Sequence, residues 1–161
     1  MEVKAPSYWY KNTGQITVFL SGSIEMGSAI PWQEALVQEM DNPNILFLNP
    51  RREDWDETWK QNIENEQFYE QVSWELNGLQ LCDIAVVVFD PNTKSPITLM
   101  ELGLLVGMNK LILVYCPEGF WRKGNVDIIC KEFGYEASVS MEDLYKKLTV
   151  LIGHVRWLNR I

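Results

Sequence analysis

The chain has a single histidine, His154, and three cysteines, Cys82, Cys116 and Cys130, none of them closely paired in sequence. This composition excludes the common zinc-binding motifs and argues against a Ser-His-Asp triad. An odd number of cysteines without a signal-like N-terminal segment predicts reduced thiols and a cytoplasmic protein. We therefore expect no metal and no cofactor, and carboxylates are the side chains best suited to carry any chemistry.

Long apolar runs and an excess of positive charge are also missing. No apolar stretch reaches the roughly 18 residues that a membrane-spanning helix needs. Fourteen Lys and Arg stand against 22 Asp and Glu, so the net charge is −8. Binding to nucleic-acid polymers rests mainly on Lys and Arg. We therefore expect neither a membrane nor a nucleic-acid polymer as a partner, whereas a small ligand in a local pocket is compatible with this charge.

Short apolar runs rich in β-branched residues alternate with segments of helical spacing. Together with the length of 161 residues, this predicts one domain over residues 1–161, with residues 1–14 as an N-terminal arm. The arm covers the core or contacts another subunit, and a flap over the site is the alternative. Strands are predicted at Ile16–Leu20, Ile45–Leu48, Ile84–Phe89 and Leu111–Tyr115, with a short extended piece near Glu136–Val139. Helices are predicted from Pro31 to Met40, Glu64 to Leu81 and Ile97 to Val106, and from Asn125 and Ser140 onward.

This alternation predicts an α/β fold, a doubly wound parallel sheet of about five strands with helices on both faces, Rossmann-like or flavodoxin-like. Such sheets bind ligands at the carboxyl ends of their strands, where the strand order reverses. Three loops lie at those ends: Ser21–Ala29, Asp90–Pro96 and Cys116–Gly124.

One carboxylate, Glu101, interrupts the apolar helical run Ile97–Val106 directly after the loop that follows the central strand. An unpaired charge in such a place costs on the order of several kcal/mol, so the residue needs a reason to be there. Two interpretations compete. In one, Glu101 pairs with Lys94, Lys110 or Arg51 and faces solvent. In the other, it points into the crevice as a carboxylate nucleophile.

Three further segments carry groups that can bind or protonate a ligand. Gly22 and Gly27, after the first strand, let backbone amides approach ligand oxygens, although an ordinary turn is the alternative. Arg51, after the second strand, is a candidate for holding a sugar hydroxyl, or else belongs to a solvated loop. Glu75, on the long helix, is a candidate second carboxylate that protonates or orients a leaving base. A surface salt bridge is the alternative for Glu75.

Taken together, these segments resemble the nucleoside 2-deoxyribosyltransferases, specifically their second, more divergent branch, from about Ile16 to Ile129. The resemblance is carried by FLSGSIEMG at Phe19–Gly27 with Trp32-Gln33, NPRREDWD at Asn49–Asp56, Glu75 eight positions before Asp83, FDPNTKSPITLMELG at Phe89–Gly103 and CPEGFWRKGN at Cys116–Asn125. Each motif is moderately specific, and the five occur in the family's order.

The resemblance implies exchange of a 2-deoxyribosyl group between purine and pyrimidine bases, through a covalent sugar–enzyme intermediate and without a metal or cofactor. By position, Glu101 matches the nucleophile, and Glu75 matches an acidic or amide residue that contacts the base. Asp83 matches a structural position. Two departures concern the proton donor and the base. Phe19 stands where better-known members carry a tyrosine that holds the nucleophile, and Ser95 stands near their base-binding aspartate.

The predicted catalytic residues are thus Glu101 and Glu75. The resemblance also implies a homo-oligomer with sites at subunit interfaces, because the segment from Asn125 onward reaches a neighbouring subunit's site in better-known members. The expected partners are nucleosides and free nucleobases. The predicted substrate-binding residues are Gly22, Ser23, Gly27, Trp32, Arg51, Asp90, Ser95 and Asn125.

Two alternatives stay open. The first is an N-glycoside hydrolase that cleaves deoxynucleosides or their 5′-monophosphates with water. Related monophosphate hydrolases place an arginine after Gly-Ser-Ile, where this chain has Glu25. An acid repels phosphate, which favours unphosphorylated nucleosides. The second, from another class, is a nucleotide-sensing module without catalysis.

Overall fold

The computed structural model describes residues 1–24, 29–56 and 58–158, which form five strands and five helices. The strands are β1 (Glu2–Lys4), β2 (Ile16–Gly22), β3 (Ile45–Asn49), β4 (Ile84–Val88) and β5 (Leu111–Tyr115). The helices are α1 (Trp32–Met40), α2 (Glu66–Leu81), α3 (Pro96–Gly107), α4 (Lys123–Glu132) and α5 (Met141–Leu158). No helix of the described ranges is both long enough and apolar enough to cross a membrane.

The five strands form one sheet in the order β1-β3-β2-β4-β5, and every pair is parallel. The chain leaves β2 toward β3 on one side and then crosses back to β4 on the other. The carboxyl ends of β2 and β4 therefore form the point where the strand order reverses, which is the usual ligand site of such sheets. The predicted doubly wound parallel sheet is confirmed.

Helices cover both faces of the sheet, so the central strands are buried on both sides. Two hydrophobic clusters make up the core. On one face, β2 and its neighbours pack against α1 and α5 through Leu36 and Leu148, and on the other they pack against α2, α3 and α4 through Leu79, Leu102 and Val126. Successive side chains of β2 alternate between these clusters because a strand has a side-chain period of two.

The fifth strand differs from the prediction. It is β1, from the N-terminal arm, which pairs with β3 in the register Glu2↔Phe47 to Lys4↔Asn49. The predicted extended piece near Glu136–Val139 contributes only an isolated bridge between Tyr115 and Ser138. A three-residue strand is too short to show a period-two pattern, which explains why the sequence did not reveal β1.

The close packing of α2 on the sheet decides where its polar residues lie. A Cβ atom at Gly78 would stand 2.5 Å from the ring of Phe19, so only glycine lets α2 approach β2 this closely. In a βαβ unit the helix runs antiparallel to the strands. Glu75, one turn before Gly78, is therefore displaced toward the carboxyl end of β2, in the same direction as Ser21 from Phe19.

Candidate active site

Glu101 is buried against β2. Its side chain is only 6% exposed, and the Ser21 hydroxyl donates a hydrogen bond to Oε2 at 2.7 Å. Ser21 is itself fully buried and lies on the face of β2 that points to α3. The alternative in which Glu101 faces solvent beside a lysine or arginine is therefore wrong. The carboxylate lies at the carboxyl end of β2, next to the point where the strand order reverses.

Glu75 lies near Glu101 on the neighbouring helix. It is half-buried, and Gln71, one turn earlier on α2, donates from Nε2 to Glu75 Oε1 at 2.9 Å. The same Nε2 donates to the backbone oxygen of Pro50 at 2.9 Å. Gln71 thus links α2 to the loop after β3. Glu75 is thus bound by an amide from its own helix, where the alternative interpretation expected a salt bridge on the surface.

Burial raises the pKa of both carboxyl groups. Removal from water and, to a smaller extent, the charge of Glu75 together raise the pKa of Glu101 to about 8, against the lowering effect of the Ser21 hydrogen bond. Burial raises the pKa of Glu75 to about 7, against the hydrogen bond from Gln71. Two interacting acids titrate as a pair, so the pair keeps a proton near neutral pH. Such perturbed acids in one place are typical of catalytic sites.

A cluster of buried hydroxyls ties the loop after β4 to the end of β2. Ser23 Oγ lies 2.6 Å from Ser95 Oγ and 2.9 Å from Thr93 Oγ1, and it accepts a hydrogen bond from the Asp90 backbone at 2.9 Å. Ser95, in a left-handed conformation with φ of 44°, directly precedes α3. These contacts fix the start of α3 on the sheet, and with it the position of Glu101, six residues after Ser95.

The predicted residues on the other side of β2 also come together. A Cβ atom at Gly22 would stand 2.6 Å from the Trp32 ring and 2.5 Å from the Val88 oxygen, so the indole packs directly on the glycine backbone. Arg51, after β3, donates from one terminal nitrogen to the Ala29 oxygen at 2.9 Å. These contacts place Gly22, Trp32 and Arg51 near the carboxyl ends of β2 and β3.

One predicted site residue, Asn125, is not brought into this group. Asn125 is exposed on α4, which starts after the loop that follows β5. Gly27 lies outside the described residues, as does Glu25, the residue in the argument against phosphate.

Asp83 accepts hydrogen bonds from Lys11 at 2.6 Å and from the Thr17 backbone at 2.7 Å. These contacts lie at the amino end of β2, which agrees with the structural role predicted for Asp83.

Sequence reasoning missed Ser21 and Gln71. A signal existed for Ser21, because it follows Phe19 by two positions and must share its face in a strand buried on both sides. Gln71 stands four residues before Glu75 and so shares its helix face. Nothing in the sequence showed that its amide also reaches Pro50, which is 21 residues away.

Two surface cavities lie elsewhere. One of about 360 Å³ is lined by α4 and the segment after it, from Asp127 to Ala137. The other, of about 750 Å³, lies at the amino ends of the strands, between the segment Lys11–Gln15 and Arg156. Neither contains Glu75 or Glu101. In the part of the chain that the structure describes, no three His, Cys, Asp or Glu residues cluster closely enough to hold a metal ion.

Comparisons with known proteins bear on the fold and on the family. A solved structure described as a conserved protein from Enterococcus faecalis V583 is similar to this chain, with a TM-score of 0.62 and 11% identity, over 84% of this chain and 98% of that one. At this identity the likeness shows a shared fold alone. No curated protein matches the sequence significantly. A family model described as nucleoside 2-deoxyribosyltransferase like matches residues 15–120, which include Ser21, Glu75 and Glu101. The match spans well over half of the sequence, and the chain therefore belongs to the nucleoside 2-deoxyribosyltransferase-like family.

Proposed function

We propose that this protein is a nucleoside 2-deoxyribosyltransferase that exchanges the base of 2′-deoxynucleosides with retention of configuration. The observation that carries the proposal is the buried carboxylate of Glu101, which accepts a hydrogen bond from Ser21 at the carboxyl edge of a parallel sheet. Burial of an ionisable side chain costs free energy because the group loses its hydration. A catalytic role for Glu101 explains why the fold tolerates this cost. Membership of the nucleoside 2-deoxyribosyltransferase-like family supports this reaction class.

In the first half-reaction, a Glu101 carboxylate oxygen bonds to the anomeric carbon of the deoxyribose while the bond from that carbon to the base nitrogen breaks. The electron pair of the broken bond stays with the base, which takes a proton from Glu75. The transition state has oxocarbenium character, as in retaining glycosidases. The product is a deoxyribosyl ester of Glu101 and a free base.

In the second half-reaction, a different base attacks the anomeric carbon from the face that the first base left. Its nitrogen bonds to the sugar, the ester bond to Glu101 breaks, and Glu75 recovers a proton from the incoming base. Two inversions give net retention, and the kinetics are ping-pong. The apolar surroundings of α3 favour transfer over hydrolysis because they keep water away from the ester.

The acid pair has one productive protonation state, with the proton on Glu75 and the charge on Glu101. The Ser21 hydroxyl shifts the pair toward this state because it donates to the Glu101 carboxylate and so lowers the pKa of Glu101. The pKa of Glu101 still stays above that of Glu75, so the productive state is the less populated of the two. Better-known members use a tyrosine hydroxyl for this contact, where this chain has Phe19. We infer that Ser21, two residues farther along the same face of β2, takes over as the positioning residue.

The remaining predicted residues form the proposed walls of the substrate site. We propose that Gly22, Ser23 and Trp32 contact the sugar side, and that Arg51 contacts a sugar hydroxyl. We also propose that Asp90 and Ser95 border the site from the loop after β4. A role for Gly27 stays a prediction.

Asn125 is exposed, so its proposed role needs a neighbouring subunit, as in the predicted homo-oligomer. The family match ends at residue 120 and does not cover it. Sedimentation analysis that finds a fully active monomer would remove this role.

The first test of the function is base exchange by purified protein supplied with deoxyadenosine, with and without free cytosine. We expect deoxycytidine to form, and Glu101→Ala to lower its rate by about a thousandfold or more, because the nucleophile is lost. Glu132→Ala, which removes an exposed carboxylate on α4, serves as the control and should keep the wild-type rate. Near-normal exchange by Glu101→Ala would refute the assignment.

The same assay separates the alternatives. Free deoxyribose in place of deoxycytidine would show that the protein is a hydrolase. Nucleoside binding without any turnover, and with an affinity that Glu101→Gln leaves unchanged, would show a sensing module.

The positioning role of Ser21 predicts a selective effect on turnover. Ser21→Ala should lower kcat by about tenfold to a hundredfold while KM changes little, because the lost hydrogen bond orients the nucleophile and does not bind substrate. Ser138→Ala is the matched control, since Ser138 is also buried but its hydroxyl has no partner. A wild-type kcat for Ser21→Ala would contradict the role.

The shared proton predicts a bell-shaped pH dependence of kcat/KM. Below about pH 7 both acids are protonated and no nucleophile is available, and above about pH 8 both are ionised and no acid remains. The rate should therefore rise and then fall across this window. Glu75→Gln should be slower and should lose the alkaline limb only, because Glu101 alone then titrates. An unchanged bell in Glu75→Gln would exclude Glu75 as the acid.

A further inference from the structure

The orientation of the Gln71 side chain is determined by its contacts. Gln71 is 4% exposed, and its Nε2 donates both to the Pro50 backbone oxygen and to Glu75 Oε1, each at 2.9 Å. A backbone carbonyl can only accept a hydrogen bond, so the amide nitrogen must face Pro50 whatever the protonation state of Glu75. The positions of the amide nitrogen and oxygen are therefore not interchangeable here.

The amide oxygen of Gln71 is left as a buried acceptor. Gln71 Oε1 is enclosed and has no hydrogen-bond partner. Buried polar atoms in folded proteins usually have a partner. Several other buried side-chain atoms of the described residues also lack one, among them Ser138 Oγ, so it is the position of Gln71 Oε1 that points to a ligand. This oxygen lies one helical turn from Glu75, on the same face of α2. Gln71 Oε1 therefore lies close to the pair of acids Glu75 and Glu101.

Gln71 and Glu75 together present two complementary groups. Glu75, in the protonated state that the proposed mechanism requires, donates a hydrogen bond. Gln71 Oε1 beside it accepts one. A ligand that satisfies both needs a ring nitrogen acceptor next to an exocyclic donor.

Amino-substituted bases have this edge. Adenine presents N7 beside its N6 amino group, and cytosine presents N3 beside its N4 amino group. Hypoxanthine, guanine, uracil and thymine place an oxygen where the amino group would be, and that oxygen would face the Gln71 oxygen, acceptor against acceptor. A mismatch of buried polar groups is what gives such sites strong discrimination.

We propose that Gln71 makes this site selective for nucleobases that carry an exocyclic amino group beside the ring nitrogen protonated by Glu75, namely adenine and cytosine. The proposal rests on the proposed function, since it assumes that a base lies against Glu75. It assigns Gln71 as a specificity-determining residue.

Isothermal titration calorimetry of free adenine, purine and hypoxanthine with the intact protein tests the proposal. We expect adenine to bind about tenfold or more tightly than hypoxanthine, with purine, which has neither group at C6, in between. In Gln71→Met the adenine preference should fall to within about twofold. Gln15→Met, which replaces another buried glutamine at the opposite end of the sheet, should keep the wild-type preference.

Several results would overturn the proposal: equal binding of the three bases, binding of none of them, or an unchanged preference in Gln71→Met. An unchanged preference in Gln71→Met is the result expected if a buried water donates the hydrogen bond that Gln71 Oε1 lacks. The measurement of the three bases on the wild type needs no variant. It therefore tests the predicted preference for adenine over hypoxanthine even if Gln71→Met fails to fold. Base exchange measured in parallel separates the two claims. Adenine preference without exchange contradicts the proposed function alone, and exchange without preference contradicts the role of Gln71 alone.

Discussion

The hydrogen bond from the Ser21 hydroxyl to the Glu101 carboxylate joins two segments 80 residues apart, at a place from which water is excluded. The packing of α2 and α3 on the sheet holds this contact in place. A buried carboxylate with one hydroxyl partner is a poor contributor to stability, because one hydrogen bond does not replace its hydration. It is a good nucleophile for the same reason, since little solvent has to be removed before it can approach a sugar carbon.

The fold holds the acid pair together by packing that involves no charge. Gly78 lets α2 lie on the Phe19 ring, and this close approach brings Glu75 to the level of Ser21 and Glu101. The buried hydroxyls around Ser23 fasten the start of α3 to the sheet. Burial in this packed site, with a smaller contribution from the charge of Glu75 acting on Glu101, leaves the pair holding one proton near neutral pH. That proton is what the leaving base requires.

Much of this arrangement could be predicted from the sequence because it depends on local patterns. The alternation of apolar runs with helical segments predicted the doubly wound sheet. The single acidic residue in an otherwise apolar helix marked Glu101 as a candidate nucleophile. The edge strand β1 was missed because three residues carry no periodicity. The partners of the acids were missed for a different reason: Ser21 with Glu101, and Pro50 with Gln71, meet only once the chain has folded. The sequence shows which groups are unusual, whereas tertiary packing decides what they touch.

The central claim is that Glu101 forms a covalent bond to the sugar, and peptide mass spectrometry tests it directly. Trypsin should release residues 95–110 as one peptide, in which Glu101 is the only acidic residue. After incubation with deoxyadenosine without an acceptor base and an acid quench, this peptide should gain the mass of one deoxyribosyl group. Base exchange that proceeds while this peptide stays unmodified, or with the sugar on another peptide, would contradict the account.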